Sequence, residues 1–196
     1  MTIADPAGLV TWVQQLQSGV PRFQVVAAIA NSPEARGLEV DQLYANLLHR
    51  SADAAGRAFW VSLLTSGVSE ADVARNILGS GEYQAAHADN NSYVAGLYAD
   101  VLGRAASAGE IAGWAQTLQT GVSRDAVAAA FLTSQEAYLG MLDFDYTHFL
   151  HRGVDPTGQQ SWLAELQSGQ TNLRGVSLAI LASDEFFSQA QAASMS

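Results

Sequence analysis

The four tryptophans of this chain, at 12, 60, 114 and 162, each hold the same place in a repeated string of residues. A Leu follows four positions after each (Leu16, Leu64, Leu118, Leu166), and a Gly seven positions after (Gly19, Gly67, Gly121, Gly169). The Trp-to-Trp spacings are 48, 54 and 48 residues. Self-similarity at such a period is the mark of stacked supersecondary units, so the chain is a tandem array.

Each unit reads as helical. Ten residues before the last three tryptophans stands an Arg (Arg50, Arg104, Arg152), and six before each Arg a Tyr (Tyr44, Tyr98, Tyr146). The Tyr is followed at i+3 and i+4 by an apolar pair, Leu47-Leu48, Val101-Leu102 and Phe149-Leu150, which makes one stripe of a helix, named A. Seven residues before each Trp lies a good N-cap, Asp5, Asp53, Ser107 or Asp155, twice followed by the proline that suits the first helical position. Helix B starts there, carries the stripe Phe59-Trp60-Leu63-Leu64 in the second unit, and ends at the recurring Gly, which enters the left-handed cap without steric cost. Ser69 and Ser123 begin helix C, with Asp72 placed for a capping-box-like pair. A second landmark, Ser32-Pro33-Glu34, Ser80-Gly81-Glu82, Ser134-Gln135-Glu136 and Ser183-Asp184-Glu185, predicts a short helix D.

No segment sustains period-two alternation. The expected fold is all-α, tandem three-to-four-helix repeats packed as a helical bundle or short solenoid. The second unit-to-unit step is six residues longer than the others, and the polar stretch from Gln84 to Ser92 absorbs the difference. It divides the expected halves, 1–88 and 89–196, unless the array is one continuous domain. The array opens in helix B with no helix A before it, and terminal units of solenoids need closure. An apolar edge is therefore expected there, closed by the last unit, by a second chain, or by a longer parent protein.

The string Tyr-x-x-Leu-Leu-x-Arg-x-x-Asp-x-x-Gly-x-x-x-Trp-x-x-x-Leu-x-Ser-Gly, read from Tyr44 through Gly67, resembles the bacterial domain-of-unknown-function family 4214, and is similar in outline to phycobilisome linker domains. Ser107 departs from the pattern where an Asp is expected, and Gly109 falls one place earlier than Gly56 and Gly158. The resemblance implies a helical accessory module of exported or cell-surface proteins, and so an extracellular or surface location. The first residues, Met1 to Pro6, lack the basic and apolar stretches of a signal peptide. Export would then use a route without such a leader, or the chain would be a piece of something longer.

Composition excludes several activities. A net charge of −10, with no Lys among the nine basic residues, opposes binding to nucleic acid or anionic membranes. No apolar run is long enough to span a bilayer. Without Lys or Cys there is no P-loop, Schiff base or thiol chemistry, and no enzyme activity is expected. Trp12, Trp60, Trp114 and Trp162 read first as packing anchors and second as platforms for sugar rings. Arg50, Arg104 and Arg152 read as internal ion-pair partners of Asp53, Asp155 or the landmark glutamates, with recognition of an acidic ligand as the other reading. His148 and His151 stand one turn apart but lack a third metal ligand. No cofactor is expected. Calcium is considered only at Asp89-Asn90-Asn91 and Asp143-Phe144-Asp145, neither of which has an EF-hand pattern. The leading expectation is a non-catalytic scaffold, spacer or protein-interaction module that takes a protein partner or self-associates. A glycan- or calcium-binding accessory module is the alternative.

Overall fold

Most helices of this chain begin where a side chain satisfies one of their first free amides. The structure, a computed structural model, describes residues 6–194, and every regular element among them is α-helical. The first unit supplies α1 (Pro6–Gln17) and α2 (Arg22–Ala30) as its helices B and C. The second contains α3 (Pro33–Leu48), α4 (Ala54–Thr65), α5 (Glu70–Leu78) and α6 (Gly81–Ala86). The third contains α7 (Asn90–Asp100), α8 (Ala108–Gln119) and α9 (Arg124–Leu132), and the fourth α10 (Gln135–Leu150), α11 (Pro156–Ser168), α12 (Leu173–Leu181) and α13 (Asp184–Ser194).

The caps fall where the sequence puts them. The carboxylates of Asp53 and Asp155 accept the amides of Gly56 and Gly158 at 2.8 and 2.9 Å, while Asp5 lies outside the described residues. Ser69 and Ser123 cap α5 and α9. Asp72 receives the Ser69 hydroxyl at 2.7 Å rather than the cap's backbone amide. Gly19, Gly67, Gly121 and Gly169 all have positive φ, from 72° to 101°, as the left-handed exit from helix B requires. His49 and His151 play the same part at the ends of α3 and α10 with φ of 52°, where the third unit uses Gly103. Histidine is among the side chains that tolerate this region better than most.

Helix D is not a separate element at two of its sites. Ser32 and Ser134 cap α3 and α10 as expected, but each helix then runs on through the Tyr of helix A for 16 residues. The Tyr follows the landmark Ser by 12 residues in both, and nothing between them stops the helix. At the middle junction the interval is 18. The chain there leaves the helix at His87 (φ −127°, ψ 63°), and Asp89 starts α7 by accepting the amides of Asn91 and Ser92.

Helix A lies over helix B in each complete unit, α3 on α4, α7 on α8 and α10 on α11. Units then pair through their C helices, α5 against α9 and α2 against α12, so the first unit folds back on the last. One buried cluster runs from Val40 through Leu64, Leu97 and Leu118 to Phe131 and crosses position 88 without interruption. A second gathers Leu142, Tyr146, Leu150, Leu166, Val176 and Ile180. The polar stretch from Gln84 to Ser92 thus breaks a helix while the core passes beneath it. The buried stripe of α4 is Trp60, Val61 and Leu64. Phe59, expected in that stripe, is 56% exposed because it lies round the helix from Leu64 and meets only the edge of Trp60, at 4.9 Å.

Candidate functional site

Four kinds of side chain meet at the crossing of helices A and B, and their packing explains most of what repeats. In the second unit the indole N–H of Trp60 donates to the Tyr44 hydroxyl at 3.2 Å, and in the fourth Trp162 donates to Tyr146 at 3.0 Å. Each tryptophan is half-buried and packs on the core. The Arg that closes helix A lies over the same tyrosine ring, with Arg50, Arg104 and Arg152 at 5.0, 4.7 and 5.0 Å from the ring centres of Tyr44, Tyr98 and Tyr146. Its fork grips the landmark glutamate: Arg50 donates to Glu82 at 2.5 and 2.6 Å, and Arg152 to Glu185 at 2.6 and 2.8 Å. Arg104 holds Glu136 in the same two-pronged way. Asp53 and Asp155 stand further from their arginines, at 3.8 Å, and serve first as caps.

The third unit shows how the knot tolerates a substitution. Ser107 supplies the cap hydroxyl but no charge, and Glu110, three residues on, closes a full capping box. The same Glu110 carboxylate accepts from Arg104 at 2.7 and 3.2 Å. In the sister units this position is Gly56 or Gly158. A Cβ at Gly56 would come within 2.6 Å of the Tyr44 hydroxyl. Ser107 and Glu110 together do the work that a single Asp does elsewhere.

Charge placement follows this geometry. The Arg104 guanidinium, then the Ser107 amide and hydroxyl, hold the Glu110 carboxyl down at about 2. Arg50, Arg104 and Arg152 likewise depress Glu82, Glu136 and Glu185, and are themselves raised by those pairings. Asp53 and Asp155 are lowered chiefly by the amides of Gly56 and Gly158. A guanidinium with a ring on one face and a carboxylate in its fork presents no free fork to an acidic ligand.

The other candidates are occupied as well. His148 stacks on Phe144 at 5.2 Å and His151 caps α10, and no group of three metal-ligating side chains gathers among the described residues. Asp89 spends its carboxylate on the cap of α7. Asp145 is buried and accepts the Ser177 hydroxyl at 2.5 Å, and its burial pushes its carboxyl up.

Three further arginines, of which Arg22 and Arg124 both stand ten residues after their Trp, fasten units together. Arg124 lies 4.5 Å from the Tyr93 ring centre and donates to the carbonyls of His87 and Ala88 at 2.8 and 2.9 Å, which clamps the inserted loop. Arg22 pairs with Asp184 and stands over Phe187. Arg174 reaches the Ala30 carbonyl at 2.6 Å and pairs with Glu39, which also accepts from Arg36. Their only sequence signal is an arginine in the first turn of a C helix, where the helix dipole disfavours a cation unless something else holds it.

Among the described residues one copy of the knot is open. The five residues ahead of Pro6 hold no Tyr-x-x-Leu-Leu-x-Arg string, and the first and last units meet through α2 and α12, not over α1. Leu16 is consequently 39% exposed, whereas its equivalents Leu64, Leu118 and Leu166 are 1, 8 and 4% exposed. Leu9, Val10 and Val13 on the same helix are exposed too. Among the described residues the Trp12 indole has no tyrosine partner and Glu34 no arginine.

A family model described as "Domain of unknown function (DUF4214)" matches the chain at residues 40–87, 74–140 and 142–190, together more than half its length. No curated protein and no solved structure matches it. No helix among the described residues is long and apolar enough to cross a membrane.

Proposed function

This chain belongs to the DUF4214 family, and we propose that it works as a non-catalytic helical repeat module, a scaffold or protein-interaction element of a bacterial exported or cell-surface protein. The observation that carries this reading is the open copy of the knot at α1. The repeated polar side chains elsewhere are held by one another, which leaves them poorly suited to bind or turn over a substrate. At α1 the same apolar positions face outward, and an exposed patch of this kind marks a surface that further protein covers, from a partner or from a longer parent chain.

The test is an activity screen of the purified chain on glycans and esters, combined with melting in calcium and in chelator. No turnover and no calcium-dependent shift are expected. Turnover that disappears with a single carboxylate substitution would overturn the reading. A glycan-binding alternative has one observation in its favour, the exposed Phe59 ring beside Trp60. Glycan-array binding lost in Phe59→Ala would put that alternative first.

A further inference from the structure

The two seams between C helices are built alike but fastened with different chemistry. At the seam of α5 and α9, Arg124 from the start of the third unit's helix C reaches the Gln84 side chain and the carbonyls of His87 and Ala88, and none of these acceptors titrates. At the seam of α2 and α12, Arg174 from the start of the fourth unit's helix C meets a carboxylate as well. It donates to the Ala30 carbonyl at 2.6 Å and to the Asn31 side chain at 3.3 Å, both at the end of α2, and pairs with Glu39 of α3. The place of Gln84, four residues after the landmark Ser, is held here by Arg36. Arg36 shares Glu39 and Asn31 with Arg174, at 2.8 Å each. It is 7% exposed, and its Nε–H finds no acceptor. Glu70, the first residue of α5, stands within electrostatic reach of Glu39, Arg174 and Arg36, and among the described residues it has no ion pair of its own. Asp145 of α10 closes the cluster from the other side, buried against the Ser177 hydroxyl of α12.

We infer that the seam joining the first unit to the last is a proton-controlled latch, closed while Glu70 carries a proton and loosened when it ionises. The balance of charges sets the direction. Glu39 already lies between the two guanidinium groups, so a second carboxylate at Glu70 is repelled by Glu39 within a partly buried site. Burial, then Glu39, raises the Glu70 carboxyl, and the pull of Arg174 and Arg36 does not offset them, even at a helix N-terminus that favours an anion. Once ionised, Glu70 competes with Glu39 for Arg174, the residue that holds the end of α2, and that competition frees α2 from α12. The other charges around α5 are committed elsewhere. Asp125 of α9 and Asp72 of α5 itself turn to Arg75, Glu82 of α6 to Arg50, and Arg57 of α4 to Asp41. Within and below the ordinary carboxylate range Glu70 keeps its proton in the folded chain, and the latch weakens as pH rises through the raised value. A scaffold so built holds its first and last units together in mildly acidic surroundings and lets them part in alkaline ones.

The experiment follows native-state amide exchange of the full chain, residue by residue, at about pH 5 and about pH 8, with rates corrected for the intrinsic pH dependence of exchange. Protection in α2 should fall roughly fivefold at the higher pH, the worth of one net hydrogen bond in a local opening, while α8 and α9 beside the other seam keep theirs. Glu70→Gln, a neutral side chain of nearly the same shape, should keep α2 protected at both pH values. Asp145→Asn should leave the difference in α2 as large as before, which assigns it to Glu70. Arg174→Gln should weaken α2 at both pH values, since it removes the contact that the proton controls. A loss spread evenly over both seams, a pH difference in α2 that survives Glu70→Gln, or one abolished by Asp145→Asn would overturn the latch. So would full protection of α2 in Arg174→Gln. The activity screen bears on none of these readouts, so the non-catalytic reading and the latch fail separately.

Discussion

Leu64 and Leu16 hold the same position in the repeat, and replacing each by Ala should cost very different amounts. Leu64 is 1% exposed among Tyr44, Leu47 and the other residues of the larger cluster. Its truncation removes three buried carbons, worth about 0.8 kcal/mol each. It also leaves a cavity that the surrounding helices close only in part, so the total is about 3–4 kcal/mol. Leu16 is 39% exposed. The same three carbons give about 1.5 kcal/mol at most there, and solvent reaches the site, so no cavity term is added. For a chain of 196 residues each kcal/mol shifts Tm by roughly 2–4 °C. Leu64→Ala should then lower Tm by roughly 6–16 °C and Leu16→Ala by less than about 6 °C. Urea denaturation followed by circular dichroism measures both, with the slope m confirming that the two variants unfold comparable surface. Equal losses would refute the reasoning, because they would mean that α1 is covered as fully as α4.

Three other outcomes follow from the same geometry. Glu110→Gln should lower the melting temperature more than Glu82→Gln does, since Glu110 serves both the α8 cap and Arg104, and Ser107→Asp in the Glu110→Gln background should recover part of the loss. Arg124→Ala should speed amide exchange at residues 87–90 while leaving α11 and α12 unchanged, because its guanidinium holds the loop carbonyls. The pH profile should have a maximum on the mildly acidic side. Burial, then Glu39, raises Glu70, and burial raises Asp145. Above the ordinary carboxylate range, then, the folded chain holds protons that the unfolded chain has released, and stability grows as pH falls through that window. Further down, Glu82, Glu136 and Glu185 are protonated below the unfolded values, Glu110 only near about 2, and their contribution is lost. Glu70→Gln should raise Tm at pH 7 and flatten the upper arm of a melting series; an unchanged upper arm would contradict this.

The parts of this fold that local chemistry decides were legible in the sequence. Asp53, Ser107, Asp155 and the four glycines fix helix ends through bonds and dihedrals within a few residues of themselves, so recurrence exposed them. The Trp, Leu, Tyr and Arg positions were legible for the same reason, and the missing complement of α1 followed from counting them. Contacts between units were not legible. Arg22 and Arg124 do share a position, ten residues after their Trp, but each reaches a different partner in another unit, Asp184 and the His87 carbonyl, so their alignment does not reveal what they hold. The fusion of helices D and A in α3 and α10 is not legible either, because a good Ser cap marks where a helix starts but says nothing about how far it runs. Glu110 gives no signal in the repeat, because it is a carboxylate gained three residues after the position where Ser107 replaces the Asp.

Proton exchange at the four indole N–H groups, followed by NMR on the uniformly ¹⁵N-labelled chain, tests most directly whether one packing position occurs three times closed and once open. The hydrogen bonds to Tyr44 and Tyr146, and the packing of Trp114 against Tyr98 and Phe131, should slow exchange at Trp60, Trp162 and Trp114. Trp12 should exchange fastest. If the Trp12 signal is protected as well as the other three in the isolated monomer, the first knot is closed and the account of three closed positions and one open fails.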